Sequence, residues 1–182
     1  LYVRWTQFGV FTSHIRYHGT SKREPRFYPA IAPIVKKWWK LRYALLPYII
    51  EQSEKATRTG HTLVRALIFH HADDKICWHI DDEYYFGDDF LVAPVMNSEN
   101  RRDIYLPEGK WVNFFDGTIY EGPQWLKNLN VSSEEMPVYV RYGAEIPLYP
   151  EDVRCTDDMD LSKAISIKVD NHFKGIFNKI TV

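Results

Sequence analysis

The stretch YYFGDDFLVAPV at residues 84–95 decides the fold, because the chain changes character within it. Beyond about Gly87, apolar residues come in short runs separated by Gly, Pro, Asn and Asp, as is typical of a small antiparallel sandwich or barrel. The Asp116-Gly117 pair predicts a hairpin turn. The predicted strands cover residues 90–95, 103–106, 110–113, 138–141 and 145–148.

Upstream of this stretch the sequence alternates between strand and helix patterns. Residues 1–18 are predicted to form a strand followed by a loop. Residues 34–56 carry apolar positions at helical spacing, with Pro47 expected to bend or restart the helix and Gly60 to end it. Residues 62–69 form a nearly continuous apolar run that favours a strand buried in a parallel sheet or barrel, where Arg65 would need a partner. The order strand, helix, strand indicates a βαβ unit.

The last residues predict a short linker and further strands. Residues 151–160 are acidic, as in a linker, and residues 164–169 alternate as in a strand. One more strand is expected at residues 177–182. Leu1 is not preceded by an initiator methionine, so we expect the chain to begin inside a larger protein or to have been processed or cut.

Composition excludes several classes of protein. The 182 residues are 45% hydrophobic and 15% aromatic, which indicates a folded chain. A net charge of -1 argues against a nucleic-acid partner. No apolar run is long enough to cross a membrane, so no membrane partner is expected. Cys77 and Cys155 are too few and too far apart to indicate a disulfide framework or a zinc site.

Residues 3–19 combine aromatic side chains with two imidazoles, His14 and His18. Aromatic faces beside polar donors suit a sugar ring, which has apolar C–H faces and a rim of hydroxyls. Composition alone is also compatible with an ordinary loop that holds a core Trp and a hydrogen-bonded His, and by itself it favours that interpretation.

Other polar groups give weaker indications of chemistry. The residues His70, His71, Asp73, Asp74 and His79 are of types that bind zinc or manganese, but their spacing matches no ligand pattern and a solvated loop is favoured. Adjacent carboxylates could supply a glycosidase pair, although Asp at such positions usually caps helices or forms turns. These carboxylate pairs are Asp73-Asp74, Asp81-Asp82, Asp88-Asp89 and Asp157-Asp158.

Five blocks in a fixed order resemble the C-terminal part of glycoside hydrolase family 31, the α-glucosidases and α-xylosidases. Together they cover residues 2 to about 148. The SHIRYHG form of the first block is more similar to the α-xylosidase branch. The blocks are RWTQFG to SHIRYHG at residues 4–19, LRYALLPY at 41–48, YYFGDDFLVAPV at 84–95, YLPEGKW at 105–111 and MPVYVRYG at 136–143.

This resemblance implies an α/β plus all-β fold. It implies the C-terminal part of a (β/α)8 barrel at residues 1–87, with residues 62–69 as its final strand. A small antiparallel β-sandwich domain then follows at residues 88–155, and residues 156–182 begin a distal, truncated β-domain.

The resemblance also implies a site and its partners. Active sites of such barrels lie at the C-terminal ends of the strands, and His14 corresponds to a substrate-binding histidine. The family's two catalytic aspartates belong to motifs absent from this chain, so no catalytic residue, metal or cofactor is expected here. The expected partners are an α-linked oligosaccharide or glycoside, the remainder of the parent barrel and, as a possibility, a second copy of the chain.

Three residues depart from the family pattern. Arg26 stands where Trp is common, Glu83 where Gln is common, and Glu145 where an apolar residue is common. A charge at residue 145 would be unfavourable in a buried strand.

Two alternatives stay open at this point. In the first, the β-rich half is a non-catalytic carbohydrate-binding or interdomain packing module, with Trp111, Tyr120 and Trp125 as a sugar platform, although core aromatics are favoured. In the second, the sequence is an incomplete gene product whose partial barrel exposes the strand edge at residues 62–69.

Overall fold

The computed structural model describes residues 1–21 and 23–176. Within these ranges, three α-helices precede eight β-strands. The helices are α1 (Tyr2–Val10), α2 (Ala32–Ala44) and α3 (Leu46–Thr59). The strands are β1 (Val64–Ala66), β2 (Tyr84–Phe86), β3 (Phe90–Val92), β4 (Arg101–Asn113), β5 (Ile119–Asn130), β6 (Val138–Arg141), β7 (Glu145–Leu148) and β8 (Ile165–Lys168).

The helical segment divides where the sequence predicts. Helix α2 ends at Ala44, and α3 restarts with Pro47 in its first turn, where the missing N–H costs no intrahelical bond. Helix α3 ends at Gly60, whose φ of 77° is left-handed and suits glycine. None of the helices in the described ranges has the length and apolarity to cross a membrane.

The segment at residues 1–18 differs from its prediction, because Tyr2–Val10 is a helix and not a strand. Helix α1 buries Thr6, Gln7, Gly9 and Val10, which fall on one helical face. The β-branched and aromatic composition of this segment favours a strand. Burial of one helical face against the rest of the protein outweighs that preference.

All strand pairs among the described residues are antiparallel, so the predicted βαβ unit is wrong. Six strands form one sheet in the order β1-β2-β3-β6-β4-β5, and β7 pairs with β8 in a second sheet. The run at residues 62–69 contributes only the three residues of β1, which pair with β2 at the sheet edge, before a 3₁₀ turn at Leu67–Phe69. Within the described residues this run therefore pairs in antiparallel fashion only, and its place as the final barrel strand stays a prediction.

The central strands of the six-stranded sheet are buried on both faces, whereas the edge strand β5 has no buried residue. Phe86, Phe90 and Val140 point into a core shared with the helices and the second sheet. Their neighbours Leu91 and Tyr139 point into a smaller core on the opposite face. This alternation explains why β3 and β6 are continuously apolar in sequence.

The hairpin β4–β5 is longer than predicted. Residues 107–109 do not form a turn between two strands but a register shift inside β4. The turn at Asp116-Gly117 is confirmed, since Gly117 has a φ of 79° between β4 and β5. Strand β8 lies within the predicted run at 164–169, whereas the strand predicted at 177–182 lies outside the described residues.

Candidate substrate-binding loop

A polar loop follows α1 and carries His14 and His18, both exposed. The loop begins at Phe11, whose fully buried ring packs edge-on against Phe86 of the sheet at a centroid distance of 5.7 Å. The sheet therefore fixes the start of the loop, three residues before His14.

Arg42 of α2 holds the next residues of the loop. Its guanidinium is buried and donates to the carbonyls of Val10 (2.7 Å), Thr12 (2.5 Å) and Ser13 (3.2 Å). Burial lowers the pKa of Arg42 to about 10, so the group keeps its positive charge at neutral pH. The position of the backbone immediately before His14 is therefore fixed by its hydrogen bonds to the guanidinium.

Two further contacts close the loop back onto α1. Thr12 Oγ1 lies 2.8 Å from the Gly9 carbonyl oxygen and 2.9 Å from that of His14, and its single proton is shared between the two. The Ile15 side chain lies directly over Gly9, where an added Cβ would be 2.5 Å from Ile15 Cδ1. Glycine at residue 9 therefore allows the loop to approach the helix on the far side of His14.

Tyr17, between the two histidines, is also fixed. Its hydroxyl accepts from Trp39 Nε1 (3.0 Å) and shares a hydrogen bond with Thr6 Oγ1 (2.7 Å). Its ring stacks on Tyr2 at 5.0 Å. Aromatic and polar contacts from α1 and α2 therefore position the segment that bears both imidazoles.

The helices that carry this loop are tied to the β-rich part. Arg4 donates to Asn100 Oδ1 (2.7 Å) and to the carbonyls of Val131 (3.0 Å) and Glu135. Gln7 Nε2 donates to the Ser133 carbonyl at 3.0 Å. Side chains of α1 thus satisfy backbone carbonyls of the segment between β5 and β6 and tie the helix before the loop to the β-rich part.

The second group of histidines has another role. His70 Nε2 accepts from Arg65 Nε (3.0 Å), and His71 Nε2 is 2.8 Å from the Tyr85 hydroxyl, which itself accepts from Arg141. Arginine only donates, so His70 Nε2 acts as an acceptor and that imidazole is neutral, whereas either atom of the His71–Tyr85 pair can be the donor. Partial burial and the Arg65 guanidinium lower the pKa of His70 to about 4, in agreement with that role.

The described residues contain no group of three or more His, Cys, Asp or Glu side chains placed to hold a metal ion. Asp74 instead accepts from the Tyr105 hydroxyl at 2.6 Å and the Ile76 amide at 2.9 Å, which caps the turn at Ile76–Trp78. Asp73 and His79 are exposed.

The carboxylates beside the sheet are engaged structurally. Asp88 binds Lys55 and Arg65, the latter at 2.7 Å, which provides the partner that buried Arg65 requires. Burial would raise the pKa of Asp88, but hydrogen bonds from Lys55 and Arg65 outweigh it and keep that pKa below its usual value. Asp89 instead pairs with the Tyr48 hydroxyl (3.2 Å), and burial raises its pKa.

Comparison with known proteins decides the family. Residues 1–52 match the model of the glycosyl hydrolases family 31 TIM-barrel domain, and residues 60–146 match that of the glycosyl hydrolase family 31 C-terminal domain. The chain belongs to glycoside hydrolase family 31. The predicted fold class, a barrel end followed by an antiparallel β-sandwich domain, is thereby confirmed.

Relatives of this family 31 chain include both enzyme types. It is 35% identical over 153 residues to an α-glucosidase of Bacillus thermoamyloliquefaciens, which covers 81% of this chain and 19% of the relative. It is 33% identical over 162 residues to an α-xylosidase of Saccharolobus solfataricus, with 87% and 22% covered. The chain therefore spans about one fifth of the length of the curated relatives it matches.

A solved dextranase of Flavobacterium johnsoniae shares the structure. It superposes with a TM-score of 0.74 at 36% identity, over 81% of this chain and 19% of that protein. That enzyme was solved as a D412A mutant in complex with isomaltotriose.

The family 31 chain does not present the sugar platform considered from its sequence. Trp111 is fully buried, so Trp111, Tyr120 and Trp125 cannot form one exposed face. Trp125 is 39% exposed with its ring 5.2 Å from Tyr105, and Tyr120 packs edge-on against Tyr139. These aromatics serve mainly to pack the β4–β5 hairpin.

The sequence analysis predicted a role for His14, which stays a prediction, and missed the residues that fix its loop. Arg42 is a cation on the apolar face of α2, one turn from Trp38 and Leu45, which is a detectable signal. Gly9 inside a helix is a second signal, because glycine there costs stability unless a close approach requires it.

Proposed function

We propose that this chain is part of a retaining glycoside hydrolase that removes terminal α-linked xylose or glucose from oligosaccharides or glycosides. In this proposal His14 donates a hydrogen bond to a hydroxyl of the sugar in the subsite that is cleaved. The nucleophile and the general acid/base are two aspartates outside residues 1–182, since retaining chemistry needs both carboxyl groups. The choice between xylose and glucose stays open.

The observation that best supports this proposal is the loop at residues 11–18, whose backbone is held in place. His14 is exposed at the end of a backbone segment held by Arg42, Thr12 and Phe11, within the residues that match the family's barrel domain. An exposed donor on a backbone that is already held in place suits sugar recognition, because little conformational entropy is then lost when the sugar binds. Beside the loop, Trp5 of α1 is 62% exposed and offers apolar surface to the remainder of the barrel.

The kinetic test uses the full-length protein and aryl α-xyloside and α-glucoside. His14→Ala is expected to lower kcat/KM by about 10- to 100-fold, the loss of one hydrogen bond to a reacting sugar. His61→Ala, at another exposed histidine, is the matched control and is expected to leave kcat/KM unchanged.

His18→Ala completes this test. Unchanged kcat/KM in His14→Ala together with a loss in His18→Ala would assign the contact to the other imidazole of the loop and contradict the role of His14. Absence of turnover on either glycoside by the wild-type protein would contradict the proposed reaction.

The 182-residue chain alone is expected to hydrolyse neither substrate. Its carboxylate pairs at Asp88-Asp89 and Asp73-Asp74 serve ion pairs and turns rather than flanking an open subsite. Release of aryl alcohol by the purified chain, above that of a His14→Ala chain, would show that catalytic carboxylates lie within it.

A further inference from the structure

Arg42 is a buried cation whose described partners are backbone carbonyls. The side chain is 7% exposed and contacts the oxygens of Val10, Thr12 and Ser13. The ion pairs found in the described part of the chain do not include it. Its charge is thus compensated by the curved backbone of the loop.

The other buried arginines differ in this respect. Arg65 is 6% exposed and pairs with Asp88, and Arg102 is 8% exposed and pairs with Asp82. A buried charge without a carboxylate is costly, so the carbonyls around Arg42 must be held in a converging arrangement. The guanidinium suits this arrangement, because its fork of donors reaches oxygens in several directions from one plane.

Three oxygens from residues 10, 12 and 13 converge on one group only if the chain turns around it. That turn ends at His14, and the Thr12 hydroxyl and the contact of Ile15 with Gly9 fix the exit. Resting on the proposed function, we propose that Arg42 is a positioning residue for the glycosidase: it sets the backbone turn that presents His14 to the sugar.

The experiment is a double-mutant cycle in the full-length protein. Arg42→Met is measured with and without His14→Ala, for kcat and KM on an aryl α-glycoside. If Arg42 acts through His14, Arg42→Met lowers kcat/KM by about 10- to 100-fold, and the double variant lies within about threefold of His14→Ala alone. Additive losses would show that Arg42 only stabilises the fold and would overturn the proposal.

Two variants separate positioning from folding. Arg65→Met removes an equally buried guanidinium from the β-rich part. Any loss of kcat/KM that it causes is expected to add to the loss caused by His14→Ala. Arg42→Lys keeps the charge but brings a single nitrogen, so it reaches the Val10 and Thr12 carbonyls without that of Ser13 and restores activity in part. If Arg42→Met does not fold, Arg42→Lys replaces it in the double-mutant cycle.

Amide hydrogen exchange gives a readout that does not need turnover. Arg42→Met or Arg42→Lys is expected to raise exchange at residues 11–16 at least tenfold while the amides of α3 keep their protection. Unchanged exchange at residues 11–16 would overturn the positioning role even if the glycosidase is active. If the wild-type protein cleaves no α-glycoside, the proposed function fails, and exchange still decides whether Arg42 sets the loop.

Discussion

Trp111→Ala is expected to lower the free energy of unfolding by about 3–5 kcal/mol, the usual cost of deleting a buried Trp. Trp111 is fully buried, and its Nε1 donates to the Pro107 carbonyl at 2.8 Å, across the register shift in β4. The Arg141 guanidinium lies 4.9 Å from its ring centroid, and the Tyr85 ring lies 6.0 Å away. Removal of the indole therefore leaves a cavity in the smaller core and an unpaired carbonyl.

Chemical denaturation of the wild-type and variant chains measures this loss in the free energy of unfolding, provided that the two fitted m-values agree. Trp111→Phe keeps a ring but loses the N–H, and about 1–2 kcal/mol of destabilisation is expected. Trp125→Ala, in the same hairpin but 39% exposed, is the control and is expected to cost about 1 kcal/mol or less. A loss for Trp111→Ala no larger than that for Trp125→Ala would contradict the assigned core.

Glu83→Gln is expected to stabilise the protein at neutral and alkaline pH, on the order of 3 kcal/mol at pH 7. Glu83 is 3% exposed; Oε1 accepts from the Tyr105 amide at 2.8 Å, whereas Oε2 is buried with no partner among the described residues. Burial raises the pKa of Glu83 to about 8. Glutamine keeps the acceptor for Tyr105 and removes the titratable group.

The pH dependence has a definite sign. The unfolded chain releases the Glu83 proton above about pH 4.5, and the folded chain holds it to about pH 8. Between these values the unfolded state binds fewer protons, so the stability of the wild-type chain falls as pH rises. The advantage of Glu83→Gln therefore grows from about pH 5 to pH 8 and is absent at pH 4.

Denaturation at pH 4, 6 and 8 checks this expectation. Glu145→Gln removes one carboxylate at an exposed position and is expected to change stability by about 0.5 kcal/mol or less. Equal or lower stability of Glu83→Gln at pH 8 would show that the buried carboxyl is ionised and better solvated than the structure indicates.

Local sequence rules succeed where one residue dominates the backbone. Pro47 and Gly60 fix the restart and the end of α3, and Asp116-Gly117 fixes a hairpin, because these residues restrict or permit particular dihedral angles. The concern over Glu145 is also resolved, since that side chain is exposed in β7.

The same rules fail where contacts between residues distant in sequence determine the secondary structure. Tyr2–Val10 has strand-like composition but is helical, and the helix brings Arg4 and Gln7, one turn apart, to the carbonyls of the segment between β5 and β6. Residues 62–69 look like a buried parallel strand, yet their pairing with β2 makes β1 a short edge strand. Neither partner can be identified from a local pattern.

The candidate site divides in the same way. The exposed His14 follows from motif order, whereas its positioning by Arg42 depends on a helix that lies 28 residues further along the chain. The division of the chain at residues 87 and 155 stays a prediction. The role of His14 thus stays a prediction from motif order, whereas the structure shows how the backbone before it is held.

The most direct measurement of the central claim is a crystal structure of the full-length protein with xylose or glucose bound at the cleaved subsite. The account predicts a His14 ring nitrogen at about 2.7–3.2 Å from a sugar hydroxyl. It also predicts two aspartates from outside residues 1–182, about 5–5.5 Å apart across the scissile position. A sugar bound without contact to His14, or flanked by carboxylates of this chain, would contradict it.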